Sequence, residues 1–195
     1  MARLSILGLS GSPTRPSRTT ALVQEILTRL ALATGQTTRL IEFADAAPVL
    51  FKALTPAQLT GEAKALVHSV EQADLLVVAS PVYRASYSGA LKHLFDLVHH
   101  LPFAGKPVIL AATGGTPLHG LVTEHQLRPL FGFLNALTLP TTVYAIESDF
   151  TDYRLTSGKV FDRIDRAVEE ARAQLSQHAD NDDPSLNRAA IAAAG

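Results

Sequence analysis

Residues 4–20, LSILGLSGSPTRPSRTT, pass from an apolar run into eleven residues of Ser, Thr, Arg, Pro and Gly. From Ser17 the pattern turns helical and continues to Ala33, with Gly35 placed to end it. The segment reads as strand, loop and helix, with the loop too polar for a core and too short for a linker. Gly11 permits a tight turn, and Ser10, Ser12, Ser17, Thr19 and Thr20 supply hydroxyls. Ser17 suits an N-cap, which leaves the amides after it pointing out of a helix end that carries partial positive charge. Such an end takes a phosphate, and Arg15 and Arg18 can neutralise a monoester dianion. The plainer reading is a polar turn with a capped helix. The P-loop pattern G-x-x-x-x-G-K-[ST] is absent.

Outward from this unit, apolar β-branched runs alternate with segments of helical period. Strands are predicted at 4–9, 37–43, 74–80, 106–113 and 141–146, and helices at 17–33, 56–72, 88–100, 118–137 and 158–177. The stretch ADAAPVLFKALTP reads as a loop. Strand–helix alternation implies parallel pairing with right-handed crossovers. Five such units predict an α/β, flavodoxin-like three-layer sandwich with a five-stranded parallel sheet of order 2-1-3-4-5. A dinucleotide fold of order 3-2-1-4-5-6 would want a sixth strand and G-x-G-x-x-G, and neither is visible. One domain is expected over 1–178, with a flexible tail over 179–195.

Composition narrows the classes. The chain has 195 residues, 47% of them hydrophobic and 18% charged, which suits one folded domain with a substantial core. A net charge of −1 argues against a nucleic-acid-binding role. The absence of cysteine excludes disulfides, iron–sulfur clusters and thiolate zinc sites. No apolar run approaches the roughly 20 residues of a membrane span. The start, MARLSILGLSGSP, reads as a first strand and not a signal peptide, so a cytoplasmic location is expected.

Open parallel sheets bind ligands beyond the carboxyl ends of their strands, where the strand order reverses. Two further unusual segments fall there. SPVYRASYSG follows the most hydrophobic strand, with Pro81 directing the chain off the sheet. The amides beside Val82 and Tyr83 could face a flat heteroaromatic ring, or Tyr83 and Tyr87 could simply pack locally. TGGTPLHG follows the fourth strand, and Gly114 and Gly115 can bring backbone close to a ligand. No metal site is expected: His99 and His100 are adjacent, so on a helix they diverge by about 100°.

GSPTRPSRTT, SPVYRASYSGALKHLFD and ATGGTPLH together resemble the NADPH-dependent FMN reductases. The likeness is strongest to the flavin reductase components of two-component alkanesulfonate and methanesulfonate monooxygenases. It covers the chain to about residue 175, with the three loops in family order. The resemblance implies FMN phosphate binding by Ser10, Ser12, Ser17, Arg18 and Thr19. It places Pro81, Val82, Tyr83 and Ser86 along the isoalloxazine, and Thr113, Gly114 and Gly115 in the third loop. It implies hydride transfer from NADPH or NADH to FMN, with the cofactor carrying the reaction and no catalytic side chain required. It also implies a homodimer or homotetramer and a partner monooxygenase that receives reduced FMN. Two rivals share the fold: an FMN-retaining quinone or azo reductase, and a flavodoxin-like electron carrier. The carrier fits poorly with a charge of −1, since such proteins usually dock through an acidic surface.

In the sulfonate-linked reductases the helix after the third loop often carries one inserted residue, a π-bulge, at a subunit contact. TEHQLRP places His125 there, as a regulatory position; the other reading is a polar residue on an exposed regular turn.

Overall fold

The computed structural model describes residues 4–181. Three strands carry the core: β1 (Ile6–Ser10), β3 (Leu75–Pro81) and β4 (Pro107–Gly114). All are buried along nearly their full length, as continuous apolar runs require when helices cover both faces of a sheet. The edge strand β2 (Thr38–Glu42) is half-buried. Pairing within this sheet is parallel, and the order is β2-β1-β3-β4-β5, as the alternation of elements predicts.

The fifth position is shared by two short strands, β5 (Leu137–Thr138) and β6 (Val143–Ile146), which pair with successive parts of β4. Pro140 lies between them and has no N–H for a ladder. The predicted strand over 141–146 therefore begins two residues late and has a small companion before it.

Helix α1 (Arg18–Thr34) starts on Ser17, whose side chain accepts from Thr20 N–H, and ends on Gly35 in the left-handed region. Both ends were expected. α1 lies on β1 at Gly8, where a Cβ would come within 2.6 Å of Val23. The first of two apolar clusters gathers α1 and α6 (Gly158–Asn181) on one sheet face, through Leu22, Ile26, Ile164 and Val168. The other gathers α2 (Phe43–Leu50), α4 (Gly89–Leu97) and α5 (Arg128–Phe133) on the opposite face, through Phe43, Leu94, Phe95 and Phe131. α3 (Gly61–Glu71) joins the second cluster with Val67 and Val70.

Four expectations are corrected. The predicted loop after β2 is α2, an eight-residue helix that tolerates Pro48 because its apolar face is buried. The helix predicted from Pro56 is a 3₁₀ turn, Pro56–Gln58, followed by α3. The helix predicted over 118–137 is broken into a 3₁₀ turn (Pro117–His119), a π-helical segment (Thr123–Leu127) and α5. An unforeseen hairpin of β7 (Phe150–Thr151) and β8 (Arg154–Leu155) precedes α6. α6 itself continues to Asn181; the rest of the expected tail lies outside the described residues.

Candidate functional site

Parallel strands of order 2-1-3-4-5 bring the loops after β1, β3 and β4 to one crevice. They meet there around a cleft of about 320 Å³. Ser12, Ser17, Arg18 and Thr19 line it from the first loop, Pro81, Val82 and Tyr83 from the second, and Thr113, Gly114 and Gly115 from the third. Ten of the twelve predicted binding residues thus share one lining. The size falls within the range of small-molecule sites.

The first loop forms the polar end. α1 begins with Arg18, and its first intrahelical bond runs from Ala21 N–H to Ser17 O; Thr20 N–H is taken by the Ser17 cap, so the amides of Arg18 and Thr19 are the ones left to face outward. Thr19 is buried, and its hydroxyl meets that of Thr113 at 2.6 Å, fastening the helix start to the end of β4. Ser88 ties the first loop to the second: its hydroxyl donates to Gly11 O at 2.7 Å, and its N–H donates to Ser80 Oγ at 2.8 Å. A Cβ on Gly11 would come within 3.1 Å of Ala79 O, so glycine here serves close approach.

Two predicted residues lie apart. Ser10 is fully buried and shares a 2.8 Å hydrogen bond with Thr20 Oγ1, behind the lining. The Ser86 hydroxyl donates to Gln126 Oε1 at 3.2 Å, joining the second loop to the π-helical segment. Arg15, read as a second phosphate cation, is instead forked onto Glu42 at 2.7 Å and Asp45 at 2.6 Å. That guanidinium holds the Asp45 carboxyl below the usual carboxylate range.

The amides of the second loop are not free for a ring. Val82 N–H donates to Thr113 O, and Tyr83 N–H and Ser86 N–H exchange bonds with each other's carbonyls. The turn between them places Arg84 and Ala85 at φ of 50° and 63°. Two non-glycine residues in the left-handed region mark stored strain, and strain of this kind gathers at functional sites. Pro81, Val82 and the half-exposed Tyr83 therefore present a side-chain wall.

Gly114 is explained by space. Its hypothetical Cβ would lie 2.2 Å from the Tyr144 hydroxyl, which donates to Thr116 O at 2.6 Å and pins the third loop. Burial pushes that phenol's pKa up, so it remains a donor. Gly115 has open space around it and faces the cleft.

Sequence reasoning missed Glu147 and Tyr153, which also line the cleft. Glu147 Oε1 accepts from Arg18 Nη2 at 2.5 Å, and the Tyr153 ring lies 5.1 Å from Arg18 Cζ. Tyr153 sits in the tight β7–β8 turn with Asp152, at φ of 61° and 47°. The usual Asn-Gly signal of such a turn is absent, which hid the hairpin.

His125 lies within the π-helical segment, in which Arg128 N–H bonds back five residues to Thr123 O. Of the two readings of TEHQLRP, the bulge is the one present. Pro129 follows it without an N–H to return to His125 O, so the wide turn sacrifices little.

The sequence profile of the NADPH-dependent FMN reductases matches residues 4–151. The chain is 49% identical over 175 residues to the NADH-dependent FMN reductase SfnF of Pseudomonas fluorescens strain Pf0-1, spanning 90% of this chain and 94% of that protein. It is 48% identical to an FMN reductase (NADPH) of Pseudomonas aeruginosa, spanning 85% and 89%. Among solved structures, the apo form of the NADH:FMN oxidoreductase EMOB superposes with a TM-score of 0.79 at 31% identity, over 94% of this chain and 93% of that one.

Proposed function

The chain belongs to the NADPH-dependent FMN reductase family, and from that membership we propose that its three-loop cleft binds FMN and releases it, once reduced, to a partner monooxygenase. The activity is that of an NAD(P)H:FMN oxidoreductase. The observation that carries the site assignment is the convergence of a capped helix start, an apolar wall and a glycine-bearing loop in one cleft.

The donor set fits the flavin. The Ser17 hydroxyl, the leading amides of α1, that of Thr19 among them, and the Arg18 guanidinium suit a phosphate dianion, while the Thr19 hydroxyl stays on Thr113. Pro81, Val82 and Tyr83 offer a flat apolar surface, and Gly115 leaves the opposite rim open to backbone approach. Bound there, FMN supplies the hydride acceptor for the nicotinamide. The chain's own work is to hold the ring against the second loop, anchor the phosphate and shield the cleft from water. The Thr19–Thr113 and Ser88–Gly11 bonds fix the three loops relative to one another, so the anchor and the wall stay in register.

Release to a monooxygenase of sulfonate sulfur assimilation is supported by the first loop's partly engaged cation and by likeness to SfnF. The same reading includes a homo-oligomer, in a cytoplasm that supplies reduced nicotinamide nucleotides. Purified protein with NADH or NADPH and excess FMN should show multiple-turnover loss of nicotinamide absorbance at 340 nm, and should retain little flavin after a desalting column. Stoichiometric yellow protein that favours quinones over free FMN would establish the retaining reductase instead. Absence of nicotinamide oxidation would point to the electron carrier.

A further inference from the structure

We propose that Glu147 is an internal anion that competes with the flavin 5′-phosphate for Arg18, and so sets both the preference for FMN over riboflavin and the ease of FMN release. The proposal rests on the assignment of the Arg18 loop as the phosphate site.

Glu147 opens the 3₁₀ turn Glu147–Asp149 directly after β6. That turn is held rigidly: Asp149 Oδ2 accepts from Ile146 N–H at 2.8 Å, and Asp149 O accepts from Thr156 N–H at 2.9 Å. The second bond closes the β7–β8 hairpin beneath it. The backbone from which Glu147 reaches Arg18 is therefore held in place. Glu147 lies in the same lining as Ser17 and Thr19, where the phosphate has its other donors.

The balance between the two anions follows from their settings. The Glu147 side chain is 66% exposed and that of Arg18 36%, and exposed ion pairs of this kind are weak. A phosphate dianion adds charge, the Ser17 hydroxyl and the outward amides of α1, so it displaces the carboxylate. A displaced Glu147 still stands at the rim with its negative charge, which lowers the affinity gained. Riboflavin has no phosphate and makes no such demand.

Tyr153 explains why Arg18 keeps its place during the exchange. Its ring lies against the guanidinium independently of Glu147, held by a turn with two strained residues. Removing the carboxylate charge should free Arg18 for the phosphate without disordering it.

Dissociation constants for FMN and riboflavin, read by flavin fluorescence quenching, test this on the parent, Glu147→Gln, Glu147→Ala, Arg18→Ala and the Arg18→Ala/Glu147→Gln pair. Both Glu147 variants should bind FMN about threefold to fivefold more tightly, with riboflavin changed by less than about twofold. In the Arg18→Ala background the Glu147 substitution should tighten FMN by less than about twofold, because only the repulsion between carboxylate and phosphate is left to relieve; equal tightening in both backgrounds would overturn the competition for Arg18. Weaker or unchanged FMN binding by both Glu147 variants would make Glu147 a support for Arg18 and overturn the competition. Equal tightening of both flavins would overturn it as well. If Arg18→Ala alone weakens both flavins equally, the phosphate assignment fails first, and the proposal with it.

Discussion

Lys106 directly precedes β4 with its stem buried, only 7% of the residue exposed, and its ammonium group against the end of α3. Nζ donates to Val70 O at 3.2 Å and Glu71 O at 2.6 Å, capping carbonyls that the helix itself leaves unpaired. Burial pushes its pKa down to about 8, outweighing the pull of Asp74 and Glu71. The native state therefore releases this proton before the unfolded chain does. Stability contributed by the group rises between about pH 8 and the ordinary lysine value of 10.5. Denaturant midpoints of parent and Lys106→Met should diverge across that window, with the parent gaining about 1–2 kcal/mol that the variant lacks. That is roughly half the ideal conversion, because residual solvent screens the ammonium. At this scale the sequence was legible where a residue acts on its own neighbours. Ser17 as N-cap and Gly35 as C-cap follow from local pattern. Arg15 was not legible, because its partners Glu42 and Asp45 stand 27 and 30 residues away. Gly114 was identified for freedom and is needed for room, a distinction that only Tyr144 reveals.

Elements with strong period were legible for the same reason: β1, β3 and β4 carry unbroken apolar runs, and α1 a full stripe. The elements that sequence misjudged are short ones whose stability comes from packing. α2 contains a proline, β5 has two residues, and the β7–β8 turn uses Asp152 and Tyr153 where glycine is usual. The π-helical segment Thr123–Leu127 leads to a prediction at this scale. Deleting His125 removes one residue, which lets the five-residue bonds revert to regular i→i−4 bonding while Leu127 and Phe131 keep their buried positions. The variant should give a circular dichroism spectrum close to the parent. It should also carry more FMN through purification, because Gln126 connects this segment to Ser86 of the second loop. A variant with parent-like flavin content would dissociate the segment from flavin retention. In a regular helix the same deletion would rotate later residues by about 100° and unfold the chain.

Across the whole molecule, large apolar residues on the stretch between β4 and β5 remain uncovered: Leu118 is 88% exposed, Leu121 62% and Phe133 80%. Three exposed large apolar side chains on one segment make it a candidate association surface. For the homo-oligomer proposed above, Phe133→Lys should shift sedimentation velocity toward the monomer with the fold unchanged, whereas an unaltered sedimentation coefficient would remove this segment from any subunit contact. The strand order was readable from the alternation alone, since handedness and crossover rules leave few arrangements. The split fifth strand was not, because β5 and β6 are defined by their separate pairings with β4. The sheet has a further consequence. It lies between two apolar clusters, with Leu94 in one and Ile164 in the other. Leu94→Ala should cost about 2–5 kcal/mol and Ile164→Val about 0.5–1.5 kcal/mol. With no shared partners, their unfolding free-energy losses should add to within about 0.5 kcal/mol in the double variant. Such additivity would make the backbone ladder a thermodynamic partition, with damage on one side invisible to the other, while the cleft proposed for the flavin, built from loops at the strand ends, would feel both.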